Sequence, residues 1–228
     1  MKIKLTILIP LLCLGFALVG SASVSAQRPR PQFEGKAKLN FQQMRAWFER
    51  TSPSKAHQAL GHLKGSWRAE GKVWMMPDLP PMTLTGESHN RWILGDRFVE
   101  SRFTGEAGGV RFEGVATDGY DNAAGHYVAT WKDSMNTAVL YFSGQSETVT
   151  EVVTDTDSGT EDAREVERRV LTAPGLDPLT GEPVTVKGVT THLDDDHYRY
   201  ESYVIDAEGA EVKMLEILFT RDLKGSKE

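Results

Sequence analysis

Two acidic residues stand among apolar neighbours in stretches of alternating character. In Tyr127-Val128-Ala129-Thr130-Trp131-Lys132-Asp133, alternation puts Asp133 on the same face as Tyr127, Ala129 and Trp131. In Met214-Leu215-Glu216-Ile217-Leu218, Glu216 shares a face with Met214 and Leu218. If both faces point into one apolar interior, each carboxyl must be paired, hydrogen-bonded or protonated. Two such acids could seat the polar head of a ligand or serve as acid and base. The competing expectation is that each lies at an open end, or pairs with Arg91, Arg102 or Arg168. Trp92 joins Tyr127, Trp131, Asp133, Met214 and Glu216 as a candidate ligand contact, with Trp74, Tyr198 and Tyr200 as further aromatic supply.

Other chemistry finds less footing. His57 and His62 are five apart, not the four that would put a metal-binding pair on one helical face. His126 and His197 open strands, whereas His89 and His192 lie within strands and could face inward. Gly119-Tyr120-Asp121-Asn122 reads as a hairpin turn, since Asp and Asn tolerate turn backbone. The sequence displays no Ser-His-Asp order, phosphate loop, zinc spacing or nucleic-acid stacking module. No catalytic residue, metal site or cofactor is therefore assigned.

The N-terminus reads as an export signal. Lys2 and Lys4 precede an apolar run from Leu5 to Val19, and Val24-Ser25-Ala26 offers small residues for cleavage. That run is too short for a comfortable membrane span, and no other stretch is long enough. Removing 26 of the 228 residues leaves 202, without Cys13, the only cysteine. An exported chain of that kind has no disulfide or thiol chemistry. It carries 24 Lys and Arg against 32 Asp and Glu, a net charge of −8. Such an acidic surface argues against nucleic acid and anionic lipid as partners.

Elements that could position these side chains follow from periodicity. Residues 27–35 read as a disordered linker. Phe41, Met44, Trp47 and Phe48 recur at helical spacing within 36–49. Ser52-Pro53 signals the start of a second helix, which carries Ala56, Ala59, Leu60 and Leu63 inward and stops near Gly65. From Ser66 the period becomes two, through ten or eleven segments rich in Val, Thr, Tyr, Phe and Trp and separated by turn residues. No helix long enough for a parallel crossover lies between them, so the sheet is an antiparallel meander that closes or folds over. Small residues at face positions (Ala69, Gly71, Gly114, Ala116, Ala129 and Gly188) leave room for a cavity or accommodate curvature. The domain plan is a leader at 1–26, a linker at 27–35, helices at 36–64, a barrel at 65–223 and a tail at 224–228.

Gly65-Ser66-Trp67, placed where helix gives way to strand, resembles the entry motif of the calycins, the superfamily of lipocalins and fatty-acid-binding proteins. The resemblance implies an all-β, antiparallel up-and-down barrel whose Trp67 closes the floor under a basic residue of the last strand, here Arg221. A wider set of motifs resembles the bacterial domain of unknown function numbered 1579. These are HxxLGHLKGSW at 57–67, RWILGDRFVE at 91–100, FEGVATDGYDNAAGHYVATWKDSM at 112–135 and MLEILFTRD at 214–222. The expected function is binding of a small apolar or amphipathic molecule in the barrel lumen by an exported, periplasmic or secreted protein. Three alternatives compete. One is an enzyme using Asp133 and Glu216. The second is a haem-binding barrel like one calycin branch, although no particular histidine is identifiable as its ligand. The third is an interaction module using the apolar face of the 36–49 helix.

Overall fold

A computed structural model describes residues 40–76, 79–154, 161–177 and 180–223. The expected leader, linker and tail lie outside the described residues, as do positions 36–39 of the first helix and the Pro77 break. Helix α1 spans Phe41–Thr51 and helix α2 spans Lys55–Ala59, running on into a 3₁₀ turn at Leu60–Leu63. Helix α2 begins later than Ser52-Pro53 implies. Ser54 is its cap, and the Ser54 backbone N–H donates to His57 Nδ1 at 3.0 Å. A side chain thus satisfies an amide that the first turn leaves without an intrahelical acceptor. Leu60 and Leu63 are buried. The apolar face of α1 is not: Phe41, Met44, Trp47 and Phe48 are all exposed.

Ten strands follow among the described residues: β1 (Gly65–Val73), β2 (Met82–Ile93), β3 (Phe98–Ala107), β4 (Val110–Asp121), β5 (His126–Asp133), β6 (Leu140–Thr154), β7 (Glu161–Leu176), β8 (Pro183–Asp194), β9 (His197–Ile205) and β10 (Glu211–Arg221). Each pairs antiparallel with its neighbours in sequence, and β1 pairs with β10, so the meander closes into a barrel. Closure removes both free edges. The segments AVLYFSG and ETVTEVV, read apart in the sequence, form one strand, β6. Gly144 is not a turn but a close crossing, since a Cβ there would lie 2.0 Å from the Val170 carbonyl oxygen.

Register fixes which side chains point in. Trp67, Ala69, Gly71 and Val73 of β1 oppose Arg221, Phe219, Ile217 and Leu215 of β10. Following the ladders around, the inward set includes Leu84, Phe103, Phe112, Trp131, Phe142, Leu171, Tyr198 and Tyr200. These residues make up or pack against one hydrophobic core. Several small residues are explained by rings rather than by empty space. A Cβ at Gly114 would lie 2.1 Å from the Trp131 ring, and one at Gly188 would lie 2.9 Å from the Tyr200 hydroxyl. A neighbouring strand's aromatic ring thus lies over each glycine. Ala116 and Ala129, by contrast, stay partly exposed although they face inward.

Candidate functional site

One end of the barrel is closed by an indole, a guanidinium and the helical turn. Trp67 is 2% exposed, and its Nε1–H donates to the Leu63 carbonyl at 2.8 Å. The Arg221 guanidinium lies 4.1 Å from the indole centroid. It donates to the carbonyls of Lys64 at 2.8 Å and Asp195 at 2.7 Å. Gly65 makes this possible. Its φ of 126° disfavours any side chain, and a Cβ would sit 2.6 Å from Arg221 Nη1. Asn90 Nδ2 also donates to Leu63, and Gly61 lies under Trp92, so the 3₁₀ turn is tied to several strand ends. The expected basic residue over Trp67 is therefore observed in space, and it also holds the chain entering β1.

Against this plug, four polar side chains form an inward row across adjacent strands. Ser146 of β6 is opposite Arg169 of β7, Arg169 is opposite Thr190 of β8, and Thr190 is opposite Tyr200 of β9. Directly opposed residues bring their Cβ atoms to roughly 5 Å, so the row is continuous. Arg169 is 3% exposed. Its Nη2 lies 3.1 Å from His62 Nε2, and its Cζ lies 5.5 Å from the Tyr127 ring centroid. Because His62 Nδ1 lies 2.6 Å from the Ala59 carbonyl, Nδ1 carries the proton and Nε2 accepts from Arg169. Burial first, then Arg169 and His192, push the His62 pKa down to about 3, so this partner is neutral. His192 stacks on His62 at 4.3 Å, and its Nε2 is buried without a hydrogen-bond partner.

Asp118 faces the same interior, opposite Val99 and Ala129. Burial raises its pKa, and the Arg169 charge opposes that rise. Among the described residues its carboxylate has no hydrogen-bond or ion-pair partner. Yet the residue keeps partial exposure, and its oxygens are not sealed off. An enclosed acid that still touches accessible space borders a hollow inside the barrel. Tyr200, also partly exposed, has its pKa raised to about 12 by burial.

The residues singled out in the sequence divide between roles. Tyr127, Trp92 and Trp131 do face inward, but Trp92 and Tyr127 lie at the plugged end. Asp133 is engaged at the opposite end. Its Oδ2 accepts the Trp131 indole N–H at 2.7 Å, and its Oδ1 accepts the backbone N–H groups of Met135 and Asn136. It caps a turn rather than offering a free carboxylate. Glu216 requires correction: it is opposite Lys72 and Glu201 on the outer face and takes a 2.7 Å ion pair from Lys213. Met214 falls where the β9–β10 register shifts between Lys213 and Leu215. That bulge reverses the face that simple alternation assigns. Arg91 and Arg102 pair with Glu100, and Arg168 with Glu151, all without Asp133 or Glu216.

Sequence reasoning missed Asp118 and Arg169. Asp118 continues the alternation Val110, Phe112, Gly114, Ala116, and Arg169 continues Ala173, Leu171. Those patterns were the available signal. His192 does face inward, whereas His89 is exposed. The most evident surface hollows lie elsewhere. One of about 410 Å³ borders α1, and one of about 970 Å³ crosses β1 to β4 among Arg68, Glu87 and Glu113. Neither includes Asp118 or Arg169. Among the described residues no cluster of His, Cys, Asp and Glu could hold a metal ion, and no helix is long and apolar enough to cross a membrane.

A closed ten-stranded meander with a Trp–Arg plug defines a calycin-like barrel. The chain belongs to the family described as protein of unknown function (DUF1579), whose model matches residues 52–221. No curated protein matches it. Among solved structures it is similar to Rv2717c from M. tuberculosis, at 18% identity and a TM-score of 0.53, covering 75% of this chain and 99% of that one. This likeness is one of fold. A further match, EF1p2_mFAP2b bound to DFHBI, has 12% identity and a TM-score of 0.31, covers 73% of this chain and 98% of that one, and is too distant to carry an argument.

Proposed function

We propose that the protein is an exported carrier that reversibly binds a small amphipathic molecule inside the barrel. The polar end meets Asp118 and the row from Ser146 to Tyr200, and the apolar part lies along the rings toward the end opposite Trp67. The observation that carries this reading is Asp118, enclosed and unpartnered yet bordering accessible space. A packed core would give a carboxylate no reason to be there, since an unpaired buried charge is costly. The loops opposite the plug add support. They present exposed Met75, Met76, Leu79, Val110, Met135 and Leu176, a route that apolar matter can enter. Export is supported by the basic, apolar and small-residue order of positions 1–26.

The test is Nile red titration with native mass spectrometry on wild type and on a variant combining Ala116→Leu and Ala129→Leu. These two substitutions fill the hollow without touching a polar group. Wild type should take up one dye saturably, and the filled variant should lose uptake while its circular dichroism is unchanged. Equal uptake by both, or none by wild type, would overturn the carrier reading.

A further inference from the structure

The charges facing the hollow are unequal in kind. A guanidinium holds its proton at any working pH, so Arg169 cannot shed its charge. Asp118 can shed its own by protonation, and burial drives it that way. The lasting charge in the interior is thus positive. Within its surroundings Arg169 has a neutral histidine and an aromatic ring, and among the described residues it has no ion pair. Glu167, two residues earlier on the same face, makes none with it. A buried cation without a carboxylate is an incomplete arrangement.

Around that cation the groups available are mostly hydrogen-bond donors. Ser146 and Thr190 flank it in register, and Tyr200 lies one strand further. His192, on the same face of β8 as Thr190, holds a buried Nε2 with no partner. We infer that the polar end of the ligand is a carboxylate, seated on the Arg169 guanidinium with Thr190 and His192 beside it. This rests on the carrier reading. A planar carboxylate matches the two-pronged donor geometry of a guanidinium and would complete the ion pair that the protein itself leaves unmade. An ammonium head would instead have to seek Asp118 while standing near a fixed cation. An uncharged head would leave Arg169 as it is.

The experiment displaces bound Nile red with decanoic acid, methyl decanoate and decylamine at neutral pH. These share a chain and differ in the head. The acid should displace the dye at about tenfold lower concentration than the ester, as a charge-assisted pair requires, with the amine weakest. Arg169→Met should bring the acid to the level of the ester and leave the ester unchanged. Thr190→Val, a milder change, should narrow the gap severalfold in a protein whose Arg169 is intact. Equal displacement by acid and ester in wild type overturns the carboxylate seat while the carrier reading stands. A stronger amine, or an acid preference that survives Arg169→Met, overturns it as well. Failure of the dye itself to bind removes both.

Discussion

Trp67 and Arg221 are directly opposed in the β1–β10 pair, and the guanidinium of one lies 4.1 Å from the indole centroid of the other. This contact joins the first strand to the last. Through the carbonyls of Lys64 and Asp195 it also ties the chain entering β1 and the β8–β9 turn to the same plug. A barrel that closes only by pairing its terminal strands needs such a fixed point, because loop closure over the whole sheet opposes it.

Arg221→Ala should therefore lower stability by about 2–4 kcal/mol, the sum expected for a cation–π contact and the loss of several hydrogen bonds. Arg221→Lys keeps the charge but not the planar fork, and should recover less than half of that. Gly65→Ala should also destabilise, because its backbone sits at φ 126° and the guanidinium occupies the space of a Cβ. Urea unfolding with an unchanged m-value checks all three. An Arg221→Ala protein as stable as wild type would show that the plug is not a determinant of closure.

Asp118 predicts a gain on substitution. Burial raises its carboxyl above the ordinary range, so the folded state holds the proton more tightly than the unfolded chain. The stability linked to this group is whole below the ordinary Asp range and is lost as pH rises through the raised pKa. Asp118→Asn should match wild type in acid and exceed it near neutral pH, by about 1 kcal/mol or more. Denaturation at about pH 4 and about pH 8 measures the gap, which must widen with pH.

His62 acts in the opposite sense. Its pKa falls from 6.5 to about 3 on folding, so the unfolded chain takes the proton first. Its contribution is whole above pH 6.5 and drains as pH falls toward about 3, at roughly 1.4 kcal/mol per pH unit at most. His62→Gln keeps an acceptor for Arg169 without a titrating ring, and should flatten the acid limb of the stability profile. Proton uptake on unfolding, followed between about pH 6 and about pH 4, should drop by close to one.

The barrel was legible because both of its signals are local. Period-two alternation marks strands, and Gly-x-Trp followed by a distant Arg marks the closing pair. The interior was less legible because face assignment depends on register, and a single bulge near Met214 inverts it. Glu216 reads as inward by alternation with its apolar neighbours, but β10 shifts register before reaching it. Asp118 adjoins Gly119-Tyr120-Asp121-Asn122, whose turn-forming residues mask the strand that runs through them to Asp121. Arg169 stands in Glu-Arg-Arg-Val, where two adjacent arginines look like a solvated surface. Only the pairing shows that Arg168 meets Glu151 outside while Arg169 points in.

Asp133 and Glu216 give a final pair of outcomes, in which two acids of similar sequence context behave differently. Asp133 accepts an indole N–H and two backbone amides, so Asp133→Ala strands three donors and frees the end of β5. It should cost about 2–3 kcal/mol and blue- or red-shift the Trp131 emission as the indole loses its acceptor. Asp133→Asn retains an acceptor oxygen and should cost about half as much. Glu216 has a side chain 39% exposed, and Lys213 also binds Glu201 at 2.5 Å, so its partner is not left alone when Glu216 is removed. Glu216→Gln should change stability by less than about 0.5 kcal/mol, as an exposed ion pair warrants. Dye affinity should be unchanged in Glu216→Gln, since no atom of that side chain faces the interior. If Glu216→Gln abolished dye binding with the fold intact, the register of β10, and with it the inward face assigned to every strand, would be wrong.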